Sequence, residues 1–259
     1  MSGTARRDAL WHGLGIGPLW RRRRGADSVS IAVPARPGAT VAPAVDRADV
    51  DSVAAASNGA VTAVPTMDWG QLEQAVQACA ACALCRTRTQ TVFGVGDRSA
   101  RWMLIGEAPG AEEDARGEPF VGQAGRLLDQ MLAAVGLSRT AQGDGSVYIA
   151  NVLKCRPPAN RNPEPEEVAR CEPFLRRQIA LVAPGLLLVM GRFAAQSLLG
   201  TDASIASLRG RVHRYDADGR GIPVVVTYHP AYLLRSLADK SKSWADLCLA
   251  RDVVEGRIR

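Results

Sequence analysis

Four short apolar runs alternate with segments of helical periodicity, and this alternation leaves few possible folds for the chain. Each run is rich in aliphatic or β-branched residues and is bounded by turn residues, as buried strands are. Strands that alternate with helices form a parallel sheet with helices on both faces. We therefore predict an α/β fold, a three-layer α/β/α domain around a central, mainly parallel four-stranded sheet. The predicted strands are 102–106, 147–153, 186–190 and 223–228, and the predicted helices are 70–80, 122–135, 164–183 and 192–199.

Polar or glycine residues stand at the carboxyl ends of three of these strands. Gly106 and Glu107 close the first strand, Asn151 lies in the second, and His229 directly follows the last. Parallel sheets bind ligands beyond the carboxyl ends of their strands. These residues are therefore predicted to converge on one crevice.

The segment WMLIGEAPGAEEDARGEPFVGQAG, residues 102–125, has the order of a phosphate-binding loop, in which a glycine-rich turn joins a strand to a helix. Its glycine spacing matches neither common nucleotide-binding pattern, and no lysine follows. The loop carries Glu107, Glu112, Glu113 and Asp114, whose charges would repel phosphates. It is therefore predicted to hold something other than the phosphates of a nucleotide.

Three cysteines recur at every third position in the stretch CAACALC, and two more follow far downstream. A C-x2-C pair brings two thiolates to one metal centre, and a second, separated pair completes four ligands. The spacing permits either zinc or a [4Fe–4S] cluster, and a mixed Cys/His zinc site is disfavoured because no histidine is near in sequence. Cys248 is predicted to be a core residue. The candidate ligands are Cys79, Cys82, Cys85, Cys155 and Cys171.

Residues 1–66 have a composition of their own, rich in Ala, Pro, Gly, Ser and Val and without lysine. Such a composition is typical of a disordered extension. Within it, residues 8–25 carry Leu, Ile and Trp side chains followed by four consecutive arginines. They are predicted to form either a short docking segment or a basic arm that touches DNA nonspecifically. The functional domain is expected over residues 67–259.

The net charge of +6 and the pI of about 9.3 favour a polyanionic partner such as nucleic acid. No apolar run reaches the ~18 residues of a membrane span, and no signal peptide is recognised. We therefore expect a cytoplasmic protein with no membrane association, whose cysteines serve a purpose other than disulfides.

Several long motifs occur in an order that resembles a known family. The motifs are VFGVGD, GEAPGAEED, GEPFVGQAG, NVLKCRPPANRNP and HPAYLLR, and with the paired cysteines they resemble the family 4 uracil-DNA glycosylases over residues 70–250. These are the iron–sulfur members of the uracil glycosylase superfamily. The resemblance implies a [4Fe–4S] cluster with a structural rather than a redox role, and it leaves Cys85 as a spare neighbour. The implied cluster ligands are Cys79, Cys82, Cys155 and Cys171.

The resemblance also implies which residues recognise a uracil that has been flipped out of DNA. Phe120 would stack on the base, and the alternative is an ordinary core phenylalanine. Asn151 would donate to uracil O4 and accept from N3–H, a pattern that cytosine does not offer, and the alternative is a structural amide. His229 would donate to uracil O2, where negative charge develops, and the alternative is a histidine bonded to the backbone at a strand end.

Glu107 is implied to orient water or to stabilise the sugar cation, which would explain the acidic loop. In the family 1 glycosylases the next position carries the aspartate that activates water. Here that position is Ala108, as is characteristic of family 4. Gly106 and Ala108 are assigned to the substrate-binding residues, and Glu113 is assigned to support of the loop.

These features predict a monofunctional uracil-DNA glycosylase that starts base excision repair, with no Schiff-base lyase step. Arg156 and Arg161 are predicted to contact DNA phosphates. The chain is expected to act as a monomer in the bacterial cytoplasm, on uracil in single- or double-stranded DNA of the nucleoid. Residues 8–25 resemble the docking peptide of the psi subunit of bacterial DNA polymerase III, which implies a clamp-loader or polymerase III partner. The alternative function is a non-catalytic, metal-containing module that binds DNA or a nucleotide.

Overall fold

A computed structural model of the chain describes residues 64–258. Within this range six strands form one sheet and helices cover both of its faces. Residues 1–63 of the predicted disordered extension, including the docking segment 8–25, lie outside the described residues. Its last three residues, Val64–Thr66, are described and form a 3₁₀ turn in which Val64 is buried.

The helices and strands are numbered in chain order. The strands are β1 (Val95–Gly96), β2 (Trp102–Gly106), β3 (Val147–Asn151), β4 (Leu186–Met190), β5 (Val212–Ala217) and β6 (Arg220–Thr227). The helices are α1 (Trp69–Gln77), α2 (Ala111–Arg116), α3 (Gln123–Ala133), α4 (Pro165–Val182), α5 (Arg192–Leu199), α6 (Ile205–Leu208), α7 (Pro230–Leu233) and α8 (Lys240–Val254). Further 3₁₀ turns are Ala83–Arg86, Pro158–Asn160 and Leu237–Asp239.

The strands are ordered β1-β3-β2-β4-β6-β5 across the sheet. The middle four strands run parallel, which confirms the predicted parallel core, and β1 and β5 pair antiparallel at the two edges. The prediction of four strands is therefore corrected to six. β5 was missed because its side chains are only partly buried and it has no continuous apolar run, and β1 was missed because it is two residues long.

The parallel strands are apolar throughout because helices cover both of their faces. Ile105 and Val189 belong to the core on the face covered by α4 and α5. Leu104 and Leu188 belong to the core on the opposite face, covered by α3 and α8. The predicted three-layer arrangement is confirmed.

The four predicted helices are all present, with ends that differ from the prediction by no more than three residues. α1 begins at a capping box in which Asp68 and Gln71 exchange hydrogen bonds. The short helices α2, α6 and α7 were not predicted. α8 lacked a clear apolar pattern because Ser243 and Asp246 are buried on its inner face. None of the helices within residues 64–258 has both the length and the apolar character that crossing a bilayer requires.

Candidate active site and metal centre

A cleft opens at the edge of the sheet where the parallel strands end. Its walls are the loop after β2, the start of α3, the segment after β3 and the turn that begins α7. Gly106 and Asn151 adjoin it, because they are paired in register at the ends of β2 and β3. All seven residues that were predicted to form the uracil site therefore lie at this edge. The other five line the cleft and are Glu107, Ala108, Glu113, Phe120 and His229.

Asn151 is deeply buried, with 1% of its surface exposed. Its Oδ1 lies against Gly106, where an added Cβ would be only 2.4 Å away. Its Nδ2 has no hydrogen-bond partner among residues 64–258. A buried amide donor without a partner costs about 1–3 kcal/mol, so this nitrogen is suited to a ligand that brings an acceptor.

Phe120 combines a buried ring with an unusual backbone. Its φ is 57°, in the left-handed region that bulky residues avoid at a cost of about 1–3 kcal/mol. The ring is 3% exposed, touches the core below α3 and stacks on the His229 imidazole at 5.3 Å between centroids. Phe120 thus belongs to the core and also borders the cleft, so the two alternatives drawn from the sequence are not exclusive.

Glu113 bridges two parts of the acidic loop. Its carboxylate accepts hydrogen bonds from the backbone N–H of Gly110, at 2.5 Å, and from that of Phe120. Burial raises the pKa of Glu113 and these two donors oppose the rise. The carboxylate therefore joins the start of α2 to the strained residue beside the cleft.

His229 caps the N-terminus of α7 by accepting the Ala231 N–H at Nδ1, at 3.2 Å. Burial lowers the pKa of His229 to about 4, and the nearby Arg235 adds to the decrease. The imidazole is therefore neutral near pH 7, and because Nδ1 accepts, the proton is on Nε2. Gly191 follows β4 with a φ of 98°, and a Cβ there would lie 3.3 Å from the His229 Cβ.

Glu107 lines the cleft directly after β2. Burial raises the pKa of its carboxyl group, and the charge of Arg192 at the start of α5 opposes part of that rise. A carboxylate in this position presents negative charge to whatever enters the cleft.

The two arginines predicted to contact phosphates have partners within the protein. Arg161 forms a two-pronged ion pair with Glu167, at 2.6 and 2.9 Å, and Arg156 donates to Asn160 at 2.8 Å. Arg161 still lines the cleft, together with Arg235, which the sequence did not single out. A cationic rim around an acidic cleft suits a polyanion whose reacting part enters the interior.

A second, smaller pocket lies beside α1 and α4, and we call it the cysteine pocket because five cysteines line it. Arg88, Lys154 and Glu167 line it as well. Arg88 donates to Cys155 Sγ at 3.0 Å, and the backbone N–H of Lys154 donates to Cys171 Sγ at 3.2 Å. Three separate chain segments thus meet there. The cysteines that line it are Cys79, Cys82, Cys85, Cys155 and Cys171.

The thiols of this pocket are hard to ionise as they stand. Burial raises the pKa of Cys155 to about 11 and that of Cys171 to about 12. The charge of Cys79 adds to both rises, and the charges of Cys79 and Cys85 both raise the pKa of Cys82. A bound metal centre would therefore be needed to hold these cysteines as thiolates.

Lys154 lies between this pocket and the cleft, and its amine is fully buried. The Nζ donates to the Asn151 carbonyl at 2.7 Å and to Gln178 Oε1 at 2.6 Å. Burial lowers the pKa of Lys154 to about 8, and the neighbouring Cys171 and Cys155 oppose the decrease. No carboxylate pairs with this amine within residues 64–258, and its two hydrogen-bond partners there are neutral oxygens.

No three His, Cys, Asp or Glu side chains within residues 64–258 are grouped so that they could hold a single metal ion. A structural zinc ion needs four ligands within about 2.3 Å of one centre. In a [4Fe–4S] cluster each cysteine binds a different iron, so the sulfur atoms stand further apart.

Comparison with known proteins places these features in a family. The family model described as the uracil DNA glycosylase superfamily matches residues 93–249, more than half of the chain. The match includes the loop after β2, the end of β3 and the start of α7.

Three similar proteins bear the name Type-4 uracil-DNA glycosylase. That of Archaeoglobus fulgidus is 44% identical over 163 residues, which cover 61% of this chain and 79% of the relative. That of Thermotoga maritima is 42% identical over 65% of this chain and 84% of the relative. That of Pyrobaculum aerophilum is 37% identical over 71% of this chain and 93% of the relative.

Proposed function

Because this chain belongs to the uracil-DNA glycosylase superfamily, we propose that it excises uracil from DNA by hydrolysing the N-glycosidic bond, the first step of base excision repair. The observation that carries the proposal is the unpartnered Nδ2 of Asn151 at the edge of the cleft. A uracil whose O4 accepts from that nitrogen satisfies a donor for which residues 64–258 supply no acceptor. The names of the similar proteins support the same substrate.

We propose separate tasks for five residues at the cleft, and their positions support these assignments. His229 donates from Nε2 to uracil O2, where negative charge gathers as the base departs. Glu107 faces the sugar, where positive charge develops, and it orients the attacking water or stabilises the cation. Phe120 offers a ring face for stacking, and Gly106 and Ala108 leave room for the base.

The same geometry supports a monofunctional enzyme. A lyase step would need an amine that can attack the sugar. Lys154 lies within the NVLKCRPPANRNP motif, but its amine is fully buried and donates to Asn151 O and Gln178 Oε1. It is therefore unsuited to forming a Schiff base with DNA.

A cleavage assay tests the function. An oligonucleotide with one uracil is incubated with the protein, and half of each sample is then heated with alkali. We expect strand breakage only after alkali, because base loss alone leaves the backbone intact. Matched oligonucleotides with cytosine or thymine at the same position should stay whole. If the uracil strand binds but never breaks after alkali, the non-catalytic binding module is the correct interpretation.

The cysteine pocket fits a [4Fe–4S] cluster held by Cys79, Cys82, Cys155 and Cys171. All four of these cysteines line the pocket, the Arg88 guanidinium donates to Cys155 Sγ, and the backbone N–H of Lys154 donates to Cys171 Sγ. When bound, such a cluster supplies four covalent links that tie the segment after α1, the loop after β3 and α4 together.

Substitution of single cysteines should distinguish the cluster ligands from Cys85, which is proposed to lie beside the cluster without binding it. Protein purified without oxygen should carry about four irons and four sulfides per chain. Cys155→Ser should lose this iron and lower the melting temperature, because a buried thiolate ligand is removed. Cys85→Ser is the matched control and should keep both. Stoichiometric zinc without iron in the wild-type protein would contradict the cluster.

The pH dependence of excision should identify Glu107 as the group that must be ionised. Its raised pKa lies above that of His229, so the wild-type single-turnover rate should fall first through protonation of Glu107 as the pH decreases. Glu107→Gln should be slower near pH 7 but should lose this acid limb, because protonation of His229 at about pH 4 leaves its Nε2–H donor in place. An unchanged limb in Glu107→Gln would assign it to another group.

The remaining expectations follow from the substrate. We propose that the chain acts as a monomer on DNA in the cytoplasm, and that residues 67–259 form the catalytic domain. Residues 8–25 are proposed to contact a clamp-loader or polymerase III component, a proposal that rests on their sequence alone.

A further inference from the structure

We propose that Arg139 is a positioning residue that holds the backbone of Phe120 in the conformation from which its ring can stack on the flipped base, an inference that rests on the proposed function. Arg139 does not line the cleft, so it can act on the substrate only through its neighbours. No sequence motif singles it out.

The Arg139 guanidinium binds two consecutive backbone carbonyls. Nη1 donates to Pro119 O at 2.9 Å and Nη2 donates to Phe120 O at 3.1 Å. Its Nε donates to Asp129 Oδ1 of α3 at 2.7 Å, which fixes the plane of the fork. Only 11% of the Arg139 side chain is exposed, so these bonds are largely shielded from water.

The peptide groups on both sides of Phe120 are held from three directions. The Glu113 carboxylate accepts a hydrogen bond from the Phe120 N–H, and the Arg139 guanidinium donates to the carbonyls of Pro119 and Phe120. The Phe120 carbonyl also lies where a Cβ on Gly125 would be, at 1.6 Å, so only glycine lets α3 approach this closely. These contacts hold a φ of 57° that a phenylalanine would otherwise leave.

Loss of the hydrogen bonds from Arg139 to the Pro119 and Phe120 carbonyls should therefore move the Phe120 ring. If Phe120 returns to a negative φ, its side chain leaves its place against His229 and Gly106. The base would then lose its stacking surface, while the groups that act on uracil O2 and O4 stay in position. Arg139 is thus expected to influence the rate of excision through one residue.

A double-mutant cycle tests this role with Arg139→Gln, Phe120→Ala and the combined variant. In single turnovers with protein in saturating excess over uracil DNA, Arg139→Gln should lower the rate constant about tenfold, and it should add less than about twofold in the Phe120→Ala background. The half-saturating protein concentration should change little, because phosphate contacts dominate affinity. A merely structural role would lower the melting temperature and the fraction of active protein and leave the rate constant at saturating protein unchanged.

Two further variants keep the result interpretable. Arg101→Gln also removes an arginine bond to a carbonyl, that of Val254, but at the opposite edge of the sheet, and should keep the wild-type rate. Arg139→Lys keeps the charge but cannot bridge both carbonyls and Asp129. It should resemble Arg139→Gln, and it carries the cycle if the glutamine variant does not fold. Equal losses with and without the Phe120 ring would overturn the positioning role, whereas a wild-type protein that excises no uracil would overturn the proposed function itself.

Discussion

Replacement of His229 by alanine should slow single-turnover excision of uracil by about 10²–10³-fold, the usual cost of removing one donor from a developing anion. The pKa of about 4 keeps the imidazole neutral, and the Ala231 N–H occupies Nδ1, so Nε2–H is the donor that the variant loses. DNA affinity and iron content should stay close to those of the wild-type protein, because His229 takes part in neither.

His213 provides a matched control for this measurement. It lies on the edge strand β5, and its Nε2 contacts the Leu208 carbonyl at 2.6 Å rather than the cleft. His213→Ala should therefore excise uracil at the wild-type rate. A wild-type rate in His229→Ala would show that the departing base is stabilised elsewhere, however well the motifs agree.

Substitution of Asn151 by aspartate should have a comparable or larger effect, a loss of about 10³-fold in single-turnover excision of uracil. An ionised carboxylate has no hydrogen to donate to O4, and it places negative charge beside a base that leaves as an anion. Asn151 is 1% exposed, so water cannot replace the missing donor.

Asn151→Ala distinguishes the loss of the donor to O4 from the repulsion between a carboxylate and the leaving anion. It removes the donor without adding charge, so the difference in rate between the alanine and aspartate variants reports the repulsion. Both variants should also be assayed on cytosine, because a carboxylate can accept from the cytosine amino group and the aspartate variant should gain weak activity there. Uracil excision at the wild-type rate in both variants would mean that another residue recognises the base.

The central strands could be predicted because their burial on both faces shows directly in the sequence of each strand. Strands covered on both faces must be apolar along their whole length, so β2, β3 and β4 stand out as uninterrupted runs. β5 is half exposed and pairs with β6 across a tight turn, so its sequence carries no such signal. A helix such as α8, with a buried serine and aspartate on its inner face, is recognisable only once its partners are known.

Some residues of the candidate site could likewise be predicted from the sequence, and others could not. The residues at strand ends could be located from the sequence, because parallel strands bring their carboxyl ends to one edge. Arg139 could not, because it reaches back 20 residues to the Pro119 carbonyl. Lys154 was overlooked for a similar reason, since its role depends on a contact with Gln178, 24 residues away. Contacts of this kind are set by packing and leave no periodic pattern.

The position of His229 relative to Asn151 depends on Gly191, which has no side chain. Asn151 is on β3 and His229 follows β6, and with β2 and β4 between them the two strands are about 14 Å apart at a usual spacing of about 4.8 Å. The two carbonyl oxygens of one pyrimidine are much closer than that, so the imidazole has to lean over the end of β4. Gly191, directly after β4, leaves room for this, because a Cβ there would lie 3.3 Å from the His229 Cβ. Any side chain at this position would push the imidazole away from Asn151 and would widen the gap that the proposed base has to bridge.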